Sequence, residues 1–134
     1  MRLILTLLTV VLVMGCFEKD IADEYDLMSE AVSKRDPGIC RKISTDRVQD
    51  NCLRAVGILL QDIELCNEIA DNEYKYWCIG VVQRDPTYCA IVKDPEHNSL
   101  CYKYVAMYSR NPEICEHIRN ETIRADCHNK VTPV

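Results

Sequence analysis

Eight cysteines fall into four pairs, Cys40 and Cys52, Cys66 and Cys78, Cys89 and Cys101, Cys115 and Cys127, and every pair is separated by twelve residues. Between pairs the distance varies: fourteen residues from Cys52 to Cys66, eleven from Cys78 to Cys89, fourteen from Cys101 to Cys115. A fixed distance inside a unit and a variable one outside it is what a covalent link within each unit requires. Among the roughly one hundred pairings open to eight cysteines, the pairing in chain order is therefore expected.

Other positions keep the same phase. Four residues before each first cysteine stand Asp36, Asp62, Asp85 and Asn111, followed by Pro37, Ile63, Pro86 and Pro112. Asp or Asn as N-cap with Pro at the first helical position starts a helix, because the side-chain oxygen accepts an orphan N–H and proline lacks the donor that would go unpaired. Each unit thus opens with a short helix, which carries Ile43, Ile69, Val92 or Ile118 three residues after its cysteine and on the same face. After a polar joint, a second helix carries the second cysteine. Its inner face is expected at Val56, Val82, Val105 and Val131, all four residues further on. The residue directly after that cysteine, Leu53, Ile79, Tyr102 or His128, marks a flank that packs on the next unit.

Paired helices, each pair crosslinked once and stacked on its neighbours, describe an all-α fold: a small α-solenoid of about four helix-pair repeats, each with one intra-repeat disulfide. A capping helix precedes them. Tyr25 to Cys40 aligns without a gap on Tyr74 to Cys89 and places Ser29 where Cys78 stands, so this leading half unit has no partner to bond. The repeat domain then spans 25–134, with the half unit at 25–34 and full units at 35–60, 61–83, 84–109 and 110–134.

The N-terminus has a different character. Met1-Arg2 precedes the apolar run LILTLLTVVLVM, the layout of an export signal, and the run is shorter than the ~20 residues a spanning helix needs. It ends in Val13-Met14-Gly15-Cys16, which resembles the lipobox of prokaryotic lipoproteins. The resemblance implies that residues 1–15 are a signal peptide and that Cys16 is lipidated, for instance with palmitate, and becomes the first mature residue. It also implies that the protein is held on the outer face of the cell membrane. Residues 16–24 would then form an acidic tether. Cysteine arithmetic agrees: the chain has nine, and with Cys16 set aside the other eight pair completely.

The remaining features narrow the function. A net charge of −5, with basic residues scattered, disfavours nucleic acid, whose binding draws on phosphate neutralisation. Four dispersed glycines make no phosphate-cradling loop, and HExxH, GxSxG and CxxC are all absent from the sequence. No enzyme and no cofactor is indicated. Structural zinc sites use cysteines about two to four residues apart, a spacing this chain lacks, so no metal site is assigned. Six of the seven tyrosines and the only tryptophan are concentrated between Tyr74 and Tyr108. Tyr76, Trp77 and Tyr102 are the candidate binding patch, since aromatic side chains are enriched at interaction sites. Asn120-Glu121-Thr122 fits the N-glycosylation triplet, with Asn120 the acceptor. The expected function is a non-catalytic protein-interaction or structural module of the cell envelope, with another envelope protein as the expected partner. The alternative is a lipoprotein that carries a small ligand or a metal, with the aromatic patch or His97, His117 and His128 as its site.

Stability should depend on oxidation. Each loop of this length contributes about 3 kcal/mol by the chain-entropy estimate, against roughly 5–15 kcal/mol for the whole of an ordinary domain. Strong reductant under native conditions is expected to abolish most far-UV circular dichroism and the cooperative melt. An unchanged melt would show that the disulfides are incidental.

Overall fold

In the computed structural model, residues 21–131 are described, and all of their regular structure is helical. Helix α1 occupies residues 21–34. It is followed by α2 (Pro37–Cys40), α3 (Asp46–Leu60), α4 (Ile63–Glu68) and α5 (Asn72–Gln83). The 3₁₀ segment η1 (Pro86–Ile91), α6 (Pro95–Ser109), the 3₁₀ segment η2 (Pro112–His117) and α7 (Glu121–Lys130) complete the order. Short and long elements alternate. Each long helix packs on the one before and the one after, α3 on α5, α5 on α6 and α6 on α7, with the short segments against them. The described residues therefore form a stack of disulfide-linked helical units. None of their helices is long and apolar enough to cross a membrane.

The four disulfides join Cys40 to Cys52, Cys66 to Cys78, Cys89 to Cys101 and Cys115 to Cys127, with Cα atoms 5.4 to 5.8 Å apart. All eight cysteines are fully buried. The short segments start as their sequence predicts. Asp36, Asp62, Asp85 and Asn111 accept the backbone N–H groups of Gly38, Glu64, Thr87 and Glu113. In units three and four these segments are 3₁₀ rather than α-helical, the tighter geometry that single turns commonly adopt. All four units close alike: the N–H of Ile43, Ile69, Val92 or Ile118 returns to the carbonyl of the first cysteine, and these four side chains are buried.

The variable spacing has a simple cause. Helices α3 and α6 have fifteen residues and α5 has twelve, so the difference between fourteen and eleven is three helical residues, just under one turn. An insertion of that size restores nearly the same face. Val56, Val105 and Val131 are buried as expected. Val82 is a correction: in the shorter α5 the deep position belongs to Val81, and Val82 is half-buried against the core.

Helices α1, α3, α5 and α6 each end in a corner that the sequence reading did not anticipate. Arg35, Gln61, Arg84 and Arg110 have φ of 54°, 53°, 58° and 55°, a left-handed conformation in residues other than glycine. The N–H that follows bonds back five residues, from Asp36 to Ala31, Asp62 to Gly57, Asp85 to Gly80 and Asn111 to Ala106. This is a Schellman close, which satisfies helix carbonyls as the chain reverses. The accepting residue is always Ala or Gly because the corner folds onto it. A Cβ on Gly80 would lie 3.2 Å from both the Asp85 carbonyl oxygen and the Tyr88 Cβ.

A second repeated device ties units together. The Glu24 carboxylate accepts the backbone N–H groups of Ser44 and Thr45 at 3.0 and 3.1 Å, and also the Ser44 hydroxyl. Asp50 accepts those of Ala70 and Asp71 at 3.2 and 2.9 Å. Glu73 accepts those of Lys93 and Asp94, at 2.9 Å and 3.2 Å from one of its oxygens. In each case a carboxylate on one long helix clasps the joint of the next unit, twenty and twenty-one residues on. This moves the start of the packed domain. Helix α1 is already formed at residue 21, and the buried Glu24, which the sequence assigned to a tether ending at 24, belongs to the stack.

Two outcomes follow from the clasps. Asp50 is buried and Glu73 half-exposed, so Asp50→Ala should lower unfolding free energy by about 2–3 kcal/mol and Glu73→Ala by less, because water replaces lost partners only where it can reach. Denaturant titration of the oxidised proteins checks the ranking, and equal losses would refute it. Hydrogen bonds from Ser44 and then Thr45 hold the Glu24 carboxyl below its ordinary range, as the Thr87 hydroxyl does for Asp85 and the His97 N–H for Asp94. The unfolded chain therefore takes up protons first as pH falls. The stability these groups supply is present above their ordinary values and lost as pH drops through the folded ones. The melting midpoint of the oxidised protein should fall as pH drops below about 5, and less steeply in Glu24→Gln.

Candidate functional site

The predicted aromatic patch does not form as a surface. Trp77 is only 4% exposed and sits in the core. The Arg54 guanidinium lies over its ring at 3.8 Å, and His97 and Tyr104 pack beside it at 5.5 and 6.2 Å between ring centroids. Burial pushes Arg54 down to about 10, and its Nε and one terminal nitrogen donate to the Asn51 side-chain oxygen. The indole flank that looked available is covered because α6 packs directly on α5. Tyr76 is half-buried and stacks on Tyr88, with centroids 6.3 Å apart. Tyr102 stacks instead on His117 of the fourth unit at 5.2 Å, with ring planes 19° apart. The three aromatics thus occupy separate environments, and Tyr102 lines a concave surface.

That surface is a cleft of about 1000 Å³ between units three and four. Ala90, Val92 and Lys93 come from the end of η1 and the joint after it; Pro95, Glu96, Asn98, Ser99 and Tyr102 come from α6. Glu116, His117, Arg119, Asn120 and Ile123 come from η2, the following joint and α7. Proline at the first turn of α6 and the Asp94 cap, which accepts the N–H groups of Glu96 and His97, fix where that wall begins. The Asn98 side-chain amide donates to the Cys89 and Val92 carbonyls at 2.8 and 3.3 Å, locking α6 to η1. The Ser99 hydroxyl, almost fully buried, donates to the Pro95 carbonyl at 2.8 Å. On the opposite wall Asn120 caps α7 by accepting the Ile123 N–H at 3.0 Å, and Arg124 donates to the Ile118 carbonyl at 3.3 Å.

Charge in the cleft is mixed but ordered. Lys93 and Arg119 bring exposed cationic side chains, one from each joint. Of the two acids, Glu116 is engaged at 2.8 Å with His128. Glu96 lies in the first turn of α6. Such a cleft can stack a planar or apolar group beside Tyr102 and His117, and can meet an anionic group with Lys93, Arg119 and the joint backbone.

The other predicted residues are placed as follows. Cys16 and the Val13-Met14-Gly15-Cys16 tetrapeptide lie outside the described residues. Asn120 is exposed at the edge of the cleft as the α7 N-cap. The histidines do not converge: His97 packs on Tyr74 and Trp77, His117 on Tyr102, and His128 pairs with Glu116. Among the described residues no three His, Cys, Asp or Glu side chains are grouped as a metal would need. The sequence reading missed Lys93, Ser99 and Arg119. Their signal was present as the joint position, four residues after each first cysteine, and the position twenty residues before it. Comparison with protein-family models, with curated proteins and with solved structures finds no match to this chain.

Proposed function

We propose that the chain is a lipid-anchored extracytoplasmic protein of the cell envelope. In this reading its stacked units form a non-catalytic module that binds another envelope protein through the cleft between units three and four. The observation that supports it most is that cleft: a concave surface lined by a stacked Tyr102–His117 pair and two cations, on a frame rigidified by four disulfides. Stacked repeats commonly bind through surfaces of this kind, and a frame already ordered loses little entropy on binding.

The location rests on two features. Disulfides form and persist in oxidising, extracytoplasmic compartments. The lipobox-like tetrapeptide places Cys16, the one cysteine outside the four bonds, where a lipid would be attached. Binding is favoured over thiol chemistry because the eight cysteines of the repeat are all bonded. A small-ligand carrier using the same cleft is the second reading, favoured by a volume within the range of small-molecule sites.

Two substitutions in living cells test both halves. Cys16→Ser should move the protein from the membrane to the soluble fraction and remove the lipid mass from its N-terminal peptide. A photo-crosslinking amino acid at Tyr102 should give a discrete protein adduct, whereas the same group at Ser33, exposed on α1, should not. Membrane retention of Cys16→Ser would refute the anchor, and identical adducts from both sites, or none, would refute the cleft as a protein contact.

A further inference from the structure

The fourth joint departs from the other three. Counting back twenty residues from Ser44, Ala70 and Lys93 gives Glu24, Asp50 and Glu73, each of which accepts two successive backbone N–H groups. Counting back twenty from Arg119 gives Ser99. Asp50 and Ser99 are strictly comparable, since both stand two residues before the second cysteine on a fifteen-residue helix. Ser99 is 2% exposed, its side chain is shorter than a carboxylate's, and its hydroxyl is turned to the Pro95 carbonyl. Among the described residues no hydrogen bond reaches the N–H of Arg119 or Asn120. Both residues, and Ser99, line the cleft.

We propose that this cleft is a carboxylate-binding site, in which an acidic group from outside the chain takes the place that Glu24, Asp50 and Glu73 hold in the other joints. The donors are the backbone N–H groups of Arg119 and Asn120, with the Lys93 and Arg119 side chains supplying positive charge and the Tyr102–His117 stack supplying a surface for the rest of the ligand. The inference rests on the cleft being a binding surface and names its ligand class: an acidic side chain of a peptide or a free small carboxylate. Chemistry favours an anion over a neutral acceptor. Hydrogen bonds to charged acceptors are about twice as strong as neutral ones, and the three internal precedents are all carboxylates. The site also differs from a bare helix start. It has walls on both sides, a buried serine where its siblings carry an acid, and a volume that an incoming side chain can enter.

The test follows the amide resonances of the full oxidised, isotope-labelled chain in detergent. The probes are sodium acetate and two capped peptides that differ only in Glu against Gln. The Glu peptide is expected to shift the Arg119 and Asn120 resonances saturably, at least about tenfold more tightly than the Gln peptide. The resonances of Ser44 and Ala70, whose donors are already engaged and which lie outside the cleft, should stay in place. Ser99→Asp should abolish these shifts by supplying the carboxylate internally, and Ser99→Ala should retain them. Saturation by acetate alone would identify free carboxylates as sufficient, and saturation only by the Glu peptide would identify an acidic protein segment. Equal response to Glu and Gln in the unaltered chain overturns the proposal, whatever becomes of the Ser99 variants. That result together with a Tyr102 adduct in cells would leave the binding module standing and remove only the ligand class.

Discussion

A helix of four to six residues has no stability of its own, because nucleation fixes several dihedral angles for each hydrogen bond gained. Four such segments are nevertheless well formed here, and each is bonded through its cysteine to the long helix that follows. The disulfide fixes where the segment lies. Ile43, Ile69, Val92 or Ile118 can then bury against the long helix, and the polar joint is held at one place. The core around these bonds is modest, with one Trp and one Phe in the whole chain and many of its fully buried side chains small. Burial on that scale leaves a small domain marginal, and crosslinks are how such domains reach stability.

Once each unit is closed, the units must still be registered on one another. Apolar contact between long helices gives the attraction but only loosely sets the register, since neighbouring ridges offer similar surfaces. Directional bonds sharpen it. The carboxylates of Glu24, Asp50 and Glu73 each reach forward to two N–H groups of the next joint, so a one-turn slip of either helix would break both. The pair Arg41–Glu68, bidentate at 2.8 and 3.1 Å, adds an exposed tie between the first and second units. Between units three and four the direct tie is Lys103 to Asp126, from α6 to α7, away from the joint. The cleft lies at that junction, where the Arg119 and Asn120 N–H groups donate to no acceptor among the described residues.

Much of the fold was legible because covalent and capping requirements are local in sequence. The constant separation of the cysteines gave their pairing, and Asp-Pro or Asn-Pro gave the helix starts. The site was less legible, for two physical reasons. Alignment on the cysteines places Glu24 and Glu73 five residues before their reference, counting Ser29 for the missing cysteine, but Asp50 and Ser99 two before. The extra turn in α3 and α6 falls after the cysteine, so the clasps line up only when counted from the joint they hold. Trp77 failed for a different reason. Helical phase puts it on a flank, but whether a flank is covered depends on the next helix. Here α6 brings His97 and Tyr104 onto the ring while Arg54 closes the other side.

In a repeat protein the positions kept in every unit are committed to holding the unit together, so specificity must come from departures. Three departures can be followed to their consequences. Ser29 replaces a cysteine on α1, whose helix is placed in the stack by Glu24 and the buried Ala31 instead of a disulfide. Thr45 caps α3 without a side-chain hydrogen bond, yet its own N–H is taken by Glu24, so that joint is still fixed. In both cases a neighbouring group makes up the loss. Ser99 is different. No described side chain substitutes for the missing acid, and the buried Ser99 lines the same cleft as Lys93, Arg119 and the Tyr102–His117 stack. A departure that costs an inter-unit bond without internal compensation, at a junction that also carries a cleft, is the observation on which the proposed carboxylate site rests.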